Sequence, residues 1–197
     1  MLYSILRLLA LWILKVFFRM EIKGKENIPL RGSFILASNH VSYLDPIVLG
    51  AACTRRVNFM ARDNLFYNPL FSWLLRNVAA FPVKRNSADI WAIKEAVSRL
   101  RQAQGLVIFP EGSRQIGELS KDIQPGVGFL VVKSNSAIIP AFIKGTDLAW
   151  PKGAKFIRPK KITVTFGQKI LMERSESHNY QDIANRIMCN IGHLACR

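Results

Sequence analysis

Apolar and polar positions along this chain follow two different periods. Short apolar runs are typical of strands buried in a sheet, and strict alternation is typical of a strand with one exposed face. These patterns predict strands at residues 34–37, 57–61, 79–83, 106–109, 138–143 and 161–166. Apolar positions with helical spacing predict helices at residues 69–76, 88–104, 126–134 and 180–194. Strands that alternate with helices predict an α/β fold: a single domain with a central, mostly parallel or mixed sheet flanked by helices.

Residue type predicts where two of the helices begin or end. Ser87 can cap the helix at residues 88–104, because a serine oxygen accepts a backbone N–H group, and Gly105 can end it. Asp45 followed by Pro46 is typical of a helix start, with the aspartate as the cap and the proline in the first turn. We therefore expect a further helix to begin near Asp45.

Residues 1–19 are strongly apolar and are interrupted by few polar side chains. On a helical wheel these polar residues share one narrow arc: Ser4, Arg7, Lys15 and Arg19. The remaining face carries Leu2, Ile5, Leu6, Leu9, Trp12, Ile13, Val16 and Phe17. Arg7 and Lys15 leave no uninterrupted apolar span of about 20 residues. We therefore expect a membrane-associating helix that lies in the interface with its cations near lipid phosphates, or alternatively a single tilted N-terminal anchor.

Length and charge restrict the class of partner. The chain has 197 residues, and we expect residues 20–197 to form one domain with its own core. The formal net charge of +15 indicates an anionic partner: nucleic acid, an acidic membrane or a phosphorylated substrate. Nucleic acid is disfavoured because the chain lacks a helix-turn-helix, zinc-finger or RNA-binding aromatic motif.

A basic segment without acidic residues lies between residues 149 and 172. Its cations are Lys152, Lys155, Arg158, Lys160, Lys161 and Lys169. Such a segment could be an ordinary solvated surface, or it could contact an anionic membrane surface or an acidic carrier protein. The three cysteines have no metal-ligand spacing, so we expect reduced thiols and no metal site.

Polar side chains follow two of the predicted strands. Residues 39–45 come after the strand at 34–37, and residues 109–114 end the strand at 106–109. In α/β folds the loops at the carboxyl ends of strands meet in one crevice. We therefore expect the chargeable residues of these loops to face one another in an active site: His40, Asp45, Glu111 and Arg114.

His40 and Asp45 suit general base catalysis. The four residues between them allow the carboxylate of Asp45 to reach the imidazole, which would fix the tautomer of the ring. His40 could then take a proton from an alcohol. The spacing alone is weak evidence, because it fits a lone histidine at a strand end at least as well, with Asp45 merely capping a helix.

Arginines near the same edge could bind an anion. Arg114, and Arg85 at the end of another predicted strand, carry forked donors that match two phosphate oxygens. Gly112 would permit a tight turn, and Glu111 could hold an arginine, bind a hydroxyl or form a local salt bridge. Ser113 could be a nucleophile, although no nucleophile-elbow pattern surrounds it.

Four blocks stand out, in order, within residues 20–170. They are Asn39 with His40, Ser42 and Asp45; the apolar strand that ends at Arg85; Phe-Pro-Glu-Gly-Ser-Arg at residues 109–114; and the apolar strand around Pro140. In type, order and spacing these blocks resemble those of the membrane-associated glycerolipid acyltransferases, most closely the bacterial 1-acylglycerol-3-phosphate acyltransferases.

The resemblance implies a glycerolipid acyltransferase-like fold, with an acyltransferase domain at residues 20–197. It implies that His40, oriented by Asp45, activates the 2-hydroxyl of 1-acylglycerol 3-phosphate. That hydroxyl would take a fatty acyl group from acyl-CoA or acyl-carrier protein, and the product would be phosphatidate for phospholipid synthesis. The substrate-binding residues would be Arg85, Glu111, Gly112, Ser113 and Arg114. Neither metal nor cofactor is expected, and the enzyme would lie on the cytoplasmic face of the cell membrane.

Other functions fit parts of the same pattern. An acyltransferase of this family could act on another lysophospholipid, an ornithine lipid or a glycolipid. A thioesterase would use water in place of the alcohol. A non-catalytic basic protein would bind membrane or nucleic acid without needing His40. The presence of both Arg85 and Arg114 favours an acceptor that carries a phosphate.

Overall fold

The computed structural model describes residues 2–84, 89–114, 123–151, 153–171 and 179–196. Its strands are β1 (Glu21–Lys23), β2 (Phe34–Ser38), β3 (Val57–Arg62), β4 (Ala80–Val83), β5 (Gly105–Ile108), β6 (Ala137–Lys144) and β7 (Thr163–Phe166). Its helices are α1 (Leu2–Phe18), α2 (Asp45–Ala52), α3 (Pro69–Asn77), α4 (Ile90–Arg101), α5 (Gly126–Ser134), α6 (Thr146–Ala149) and α7 (Tyr180–Ala195). Each strand and helix predicted from the apolar pattern therefore has a counterpart.

The described strands form one seven-stranded sheet in the order β1-β7-β6-β2-β5-β3-β4. β2 pairs in parallel with β5 and β6, and β3 pairs in parallel with β4 and β5. β7 is antiparallel to β6, and β1 is parallel to β7. The predicted α/β fold with a mixed sheet is confirmed. Ala37 of β2 pairs with Ile108 of β5, so the loops that follow these two strands leave the sheet side by side.

Helices cover both faces of the sheet and give the core two layers. On one face, α1 and α2 pack on the sheet around Phe34, Leu36 and Ile139. On the other face, α4, α5 and α7 pack around Ile35 and Leu106. All five residues of β2 are buried, as is typical of a parallel strand that is covered on both sides.

Helix α1 is packed against the rest of the domain along one side. Leu14 and Phe18 are buried in the core layer that also contains α2. Nε of Arg7 donates a hydrogen bond to the carbonyl oxygen of Cys53 at 2.8 Å. The expectation that Arg7 belongs to a lipid-facing cationic stripe is therefore wrong. A helical wheel cannot reveal which arc of the helix the neighbouring helix covers.

The other side of α1 carries large apolar side chains that are exposed. These residues, the α1 face, are Ile5, Leu8, Leu9, Trp12, Ile13, Val16 and Phe17. Lys15 and Arg19 are exposed as well. A continuous exposed apolar patch of this kind marks a surface that contacts a membrane or another molecule. Across the described part of the chain, we find no helix with both the length and the hydropathy needed to span a bilayer.

The start of α4 differs in its cap from the prediction. Ser87, the predicted cap, lies outside the described residues. The side chain of Asp89 accepts the N–H of Ala92 at 3.0 Å and caps α4. Asp89 also accepts the N–H of Lys84 at 2.8 Å, and these backbone hydrogen bonds, first that of Lys84, hold the pKa of the Asp89 carboxyl below its usual value.

The prediction that Gly105 ends α4 is wrong, because Gly105 is the first residue of β5. A Cβ atom at Gly105 would overlap the ring of Phe34, so the glycine is required for the close approach of β5 to β2. The left-handed residue after α4 is Ala103, with φ of 59°.

Candidate active site

The loop after β2 brings His40 and Asp45 into direct contact. Nδ1 of His40 and Oδ2 of Asp45 are 2.8 Å apart. The aspartate side chain is fully buried, whereas that of the histidine is 17% exposed. A carboxylate in its ionised form only accepts hydrogen bonds, so this contact favours the tautomer with the proton on Nδ1 and the lone pair on Nε2. The hydrogen bond expected from the spacing of the two residues is present.

Asp45 organises this loop instead of capping α2. Its Oδ2 also accepts the backbone N–H groups of Val41 and Ser42, both at 2.7 Å. Leu44 occupies the cap position, and α2, all of whose residues are described, has no side-chain cap hydrogen bond. The expectation of an aspartate cap is therefore wrong, because the loop before the helix engages the carboxylate first. Pro46 does lie in the first turn of α2.

The loop after β5 contacts His40 in two ways. Oε2 of Glu111, a buried residue, accepts the backbone N–H of His40 at 2.8 Å. The ring of Phe109 stacks on the imidazole, with the ring centroids 4.0 Å apart and the planes inclined by 19°. The two loops therefore fix both the backbone and the ring plane of His40. Glu111 was predicted to hold an arginine or a hydroxyl, and this contact with the His40 backbone was not foreseen.

Gly112 forms the tight turn that its position predicts. Its φ of 64° lies in the left-handed region, which favours glycine. A Cβ atom there would lie 3.0 Å from Cγ of Gln124. The N–H of Ser113 donates to the carbonyl oxygen of Glu111 at 2.7 Å, which closes the turn. The turn sends the chain from the buried Glu111 to the exposed Ser113 and on to Arg114.

Arg114 lies against the loop that carries His40. The guanidinium carbon of Arg114 is 3.4 Å from the centroid of the Tyr43 ring, a cation–π contact. The Tyr43 ring is in turn 5.4 Å from the ring of Trp150. Nη1 of Arg114 is buried and has no hydrogen-bond partner among the described residues. An arginine with its plane supported and a donor unused is suited to bind an anion.

Three residues that hold the site together were not among those predicted for it: Asn39, Tyr43 and Trp150. The side-chain amide of Asn39 donates to the carbonyl of Ile143 at 2.9 Å and accepts its N–H at 2.8 Å, which ties the end of β2 to β6. Asn39 and Tyr43 stand beside His40 in the sequence, which is the signal that could have found them. Trp150 offers no such signal, because its contacts are formed only by the fold.

Arg85, the second arginine predicted to bind an anion, lies outside the described residues, which stop at residue 84 and resume at residue 89. The strand that leads towards it, β4, is parallel to β3. The carboxyl end of β4 therefore lies at the same edge of the sheet as the loops that carry His40 and Glu111. The role predicted for Arg85 stays a prediction.

A comparison with protein families identifies the class of protein. The family model described as acyltransferase matches residues 19–144. This range includes both loops of the site and the contacts between them. The chain belongs to the acyltransferase family.

Individual relatives in the same family carry more particular names. The chain is 28% identical over 167 residues to a 1-acyl-sn-glycerol-3-phosphate acyltransferase of Streptococcus pneumoniae, an alignment that covers 82% of this chain and 60% of that protein. It is 24% identical over 151 residues to the enzyme of that name from Bacillus subtilis, covering 76% and 73%. It is 25% identical over 150 residues to a lyso-ornithine lipid O-acyltransferase of Pseudomonas aeruginosa, covering 75% and 57%. The chain thus spans less than two thirds of the pneumococcal relative.

One solved structure has a closely similar fold. It is the crystal structure of the 1-acyl-sn-glycerophosphate (LPA) acyltransferase, PlsC, from Thermotoga maritima. The similarity covers 99% of this chain and 80% of that one, with a TM-score of 0.74 and 21% sequence identity. At this identity the comparison establishes the fold, including the mixed sheet and the helices that flank it.

Proposed function

We propose that this chain transfers a fatty acyl group from acyl-CoA or acyl-carrier protein to the 2-hydroxyl of 1-acylglycerol 3-phosphate, and so makes phosphatidate for phospholipid synthesis. The observation that carries the proposal is the pair formed by His40 and the buried Asp45, joined at 2.8 Å. A histidine held in one tautomer by a carboxylate suits proton removal from an alcohol. Membership of the acyltransferase family supports acyl transfer as the reaction, and the names of the relatives support 1-acylglycerol 3-phosphate as the acceptor.

The proposed reaction needs one base and no covalent enzyme intermediate. Nε2 of His40 takes the proton of the acceptor hydroxyl while the oxygen forms a bond to the thioester carbonyl carbon. The tetrahedral intermediate then collapses as the carbon–sulfur bond breaks. The imidazolium returns its proton to the departing thiolate, so that the products are the ester and the free thiol. Asp45 stabilises the imidazolium through its hydrogen bond to Nδ1.

Arg114 is the proposed ligand of the acceptor phosphate. Its guanidinium is held on Tyr43, three residues after His40 in the same loop, and its buried Nη1 has no hydrogen-bond partner among the described residues. A phosphate bound there would place the rest of the acceptor beside the base, and positioning of this kind lowers the barrier to reaction. Arg85 is the proposed second ligand, and Glu111, Gly112 and Ser113 would shape this end of the site.

The acceptor and the product are lipids, so we also propose that the domain binds the cytoplasmic face of the cell membrane. The α1 face supplies apolar side chains for the acyl region, and the exposed Lys15 and Arg19 supply charge for anionic headgroups. The net charge of +15 would strengthen attraction to an anionic surface. An acidic acyl-carrier protein would be attracted by the same charge.

A second candidate acceptor is a lyso-ornithine lipid, because one relative carries that activity in its name. The chemistry at the hydroxyl would be unchanged. The difference lies in the head group, since an ornithine lipid presents no phosphate to an arginine.

The proposal is tested by thiol release from acyl-CoA in detergent, with the product ester identified by mass spectrometry. We expect release to depend on added lysophosphatidate and to yield phosphatidate in equal amount. Release that is independent of any acceptor would identify a thioesterase. Release that depends on lyso-ornithine lipid and ignores lysophosphatidate would replace the proposed acceptor with the second candidate.

Replacement of Arg114 by alanine should raise the KM for lysophosphatidate about tenfold or more, because a hydrogen bond to a charged group contributes roughly 1.5–3 kcal/mol. The effect on an acceptor without phosphate should be much smaller. Steady-state kinetics on both acceptors measures the difference. Arg101→Ala is the matched control, since Arg101 is exposed in the last turn of α4. An equal loss on both acceptors would show that Arg114 does not bind the phosphate.

A further inference from the structure

The segment between β3 and β4 carries a second exposed apolar surface, distinct from the α1 face. None of the nine residues of α3, all of which are described, is buried. Large apolar side chains are nevertheless concentrated in this helix and in the segment before it, which begins with a short helix at Asp63–Phe66. These residues, the α3 patch, are Leu65, Tyr67, Leu70, Phe71 and Trp73. Leu70 is 76% exposed and Trp73 is 55% exposed, so the domain itself leaves this patch uncovered.

The topology places the α3 patch on the same side of the sheet as the α1 face. The connection from β2 to β3 and the connection from β3 to β4 step in the same direction along the sheet. Crossovers between parallel strands are right-handed in nearly all proteins, so α2 and α3 lie on one face. Helix α1 packs in the core layer of α2. The α1 face and the α3 patch therefore both point away from that side of the sheet.

The composition of the α3 patch matches the interface of a bilayer. Tyrosine and tryptophan prefer the headgroup level, and leucine and phenylalanine reach the acyl boundary. Exposed arginines stand at both ends of the segment, Arg62 before it and Arg76 in the last turn of α3. The helix is also formed in advance, because the side chain of Asn68 accepts the N–H of Phe71 at 3.0 Å and caps it. Binding would therefore not require this segment to fold.

We propose that the α3 patch is a second bilayer contact, which acts together with the α1 face to hold the domain against the membrane on one side of its sheet. The inference rests on the proposed function in one respect, namely that the acceptor is a membrane lipid. Two separate contacts restrict tilt, which a single helix lying in the interface does not. The loops that carry His40 and Arg114 would then keep a constant height above the lipid surface.

The chain offers a matched control on the opposite side. Trp91 of α4 is 56% exposed, almost the same as Trp73. Helix α4 packs against the other face of the sheet through the buried Ala92 and Ala96, and on the helical wheel Trp91 points away from that core. Removal of Trp91 deletes an exposed indole of equal accessibility from the face that should point away from the bilayer.

The test is sedimentation of the full chain with vesicles of phosphatidylethanolamine and phosphatidylglycerol. We expect Leu70→Ser with Trp73→Ser to lower the partition coefficient roughly tenfold or more, since each change removes a large apolar side chain from the lipid contact. Trp91→Ser should stay within about twofold of the wild type. The difference should persist at about 0.5 M salt, where screening weakens the electrostatic attraction. Circular dichroism should show unchanged folding, because both replaced side chains are exposed.

The opposite outcomes are equally clear. Unchanged partitioning of the double variant, or an equal loss for Trp91→Ser, would overturn the proposal. A fall in molecular mass by light scattering, with unchanged partitioning, would show that the patch is a contact between two copies of the chain and would also overturn it. Acyl transfer to a short-chain lysophosphatidate dispersed as monomers should be unaffected by the double variant. If the wild type fails to acylate any such acceptor, the proposed function fails, whereas the vesicle comparison still decides the membrane contact.

Discussion

Replacement of His40 by alanine is expected to lower the rate of acyl transfer by about 10²- to 10⁴-fold, the usual contribution of a general base. The acceptor would still bind, because Arg114 is held by Tyr43 and not by the imidazole. The acceptor hydroxyl would no longer lose its proton to a positioned base as it attacks the thioester. The fall should therefore appear in kcat, with a smaller change in the KM for lysophosphatidate. Measurement of thiol release at saturating acceptor checks this directly.

His193→Ala is the control for this experiment. His193 is exposed in the last turn of α7, where its ring lies 3.8 Å from the sulfur of Cys189. Its removal should leave the rate unchanged. A His40→Ala variant that is folded and fully active would exclude the proposed base, whereas a wild-type chain that releases no thiol would support the non-catalytic membrane-binding protein that the charge alone also allows. A variant that loses transfer yet retains acceptor-independent hydrolysis would point to a thioesterase.

The contact between His40 and Asp45 could be predicted from sequence because it is local. The apolar run of β2 fixes where the strand ends, and the short loop allows the carboxylate to reach the imidazole. The meeting of this loop with residues 109–114 could be predicted for a related reason. Both follow central parallel strands, and such strands open at one edge of the sheet.

Which backbone N–H groups the Asp45 carboxylate accepts could not be predicted in the same way. An aspartate before a proline fits a helix cap, and it fits equally well an acceptor for amides earlier in the loop. The choice depends on how the backbone turns at Val41 and Ser42, whose N–H groups both point at Oδ2. Local propensity does not determine that turn. The positions of Phe109 and Glu111 against His40 help to determine it.

Contacts between distant segments were the most difficult to predict. The hydroxyl of Ser42 donates to the carbonyl of Trp150, 108 positions along the chain, at 3.0 Å. This contact and the Trp150 ring support Tyr43, which supports Arg114. Nothing in the pattern around Trp150 distinguishes it from an ordinary core residue. The arginine was therefore identified from its motif, while the aromatic residues that orient it were found only in the fold.

The orientation of α1 shows a similar limit. The helical wheel separates an apolar face from a polar arc, and most of the predicted apolar face is exposed in the structure. The side of α1 that packs on the domain, however, carries Arg7 together with Leu14 and Phe18. The polar arc of the helical wheel is therefore partly covered by the domain and partly exposed. Only Lys15 and Arg19 remain exposed among its charged residues. The outward surface of the helix is therefore more apolar and less basic than the sequence suggests.

Replacement of Asp45 by asparagine is expected to lower kcat about 10²-fold or more while the protein remains folded. The asparagine oxygen can still accept the N–H groups of Val41 and Ser42, which bond at 2.7 Å in the native loop. The same oxygen, in the place of Oδ2, would also accept the proton on Nδ1 of His40, but it carries no negative charge to stabilise the imidazolium that forms during the reaction. Nε2 would therefore be a weaker base for the acceptor hydroxyl. Thiol release and thermal unfolding, measured on the same preparation, separate the two effects.

Asp45→Ala and Asp182→Asn complete the comparison. Alanine at residue 45 would leave the N–H groups of the buried Ser42 and the partly buried Val41 without their acceptor, at a cost of about 1–3 kcal/mol for the buried one, so that this variant should lose stability as well as rate. Asp182 is an exposed residue in the first turn of α7, and its replacement should change neither. Wild-type kcat in Asp45→Asn would show that the carboxylate serves only to fold the loop. If the carboxylate orients His40, Asp45→Asn should lose rate at nearly native stability. Asp45→Ala should lose both rate and stability.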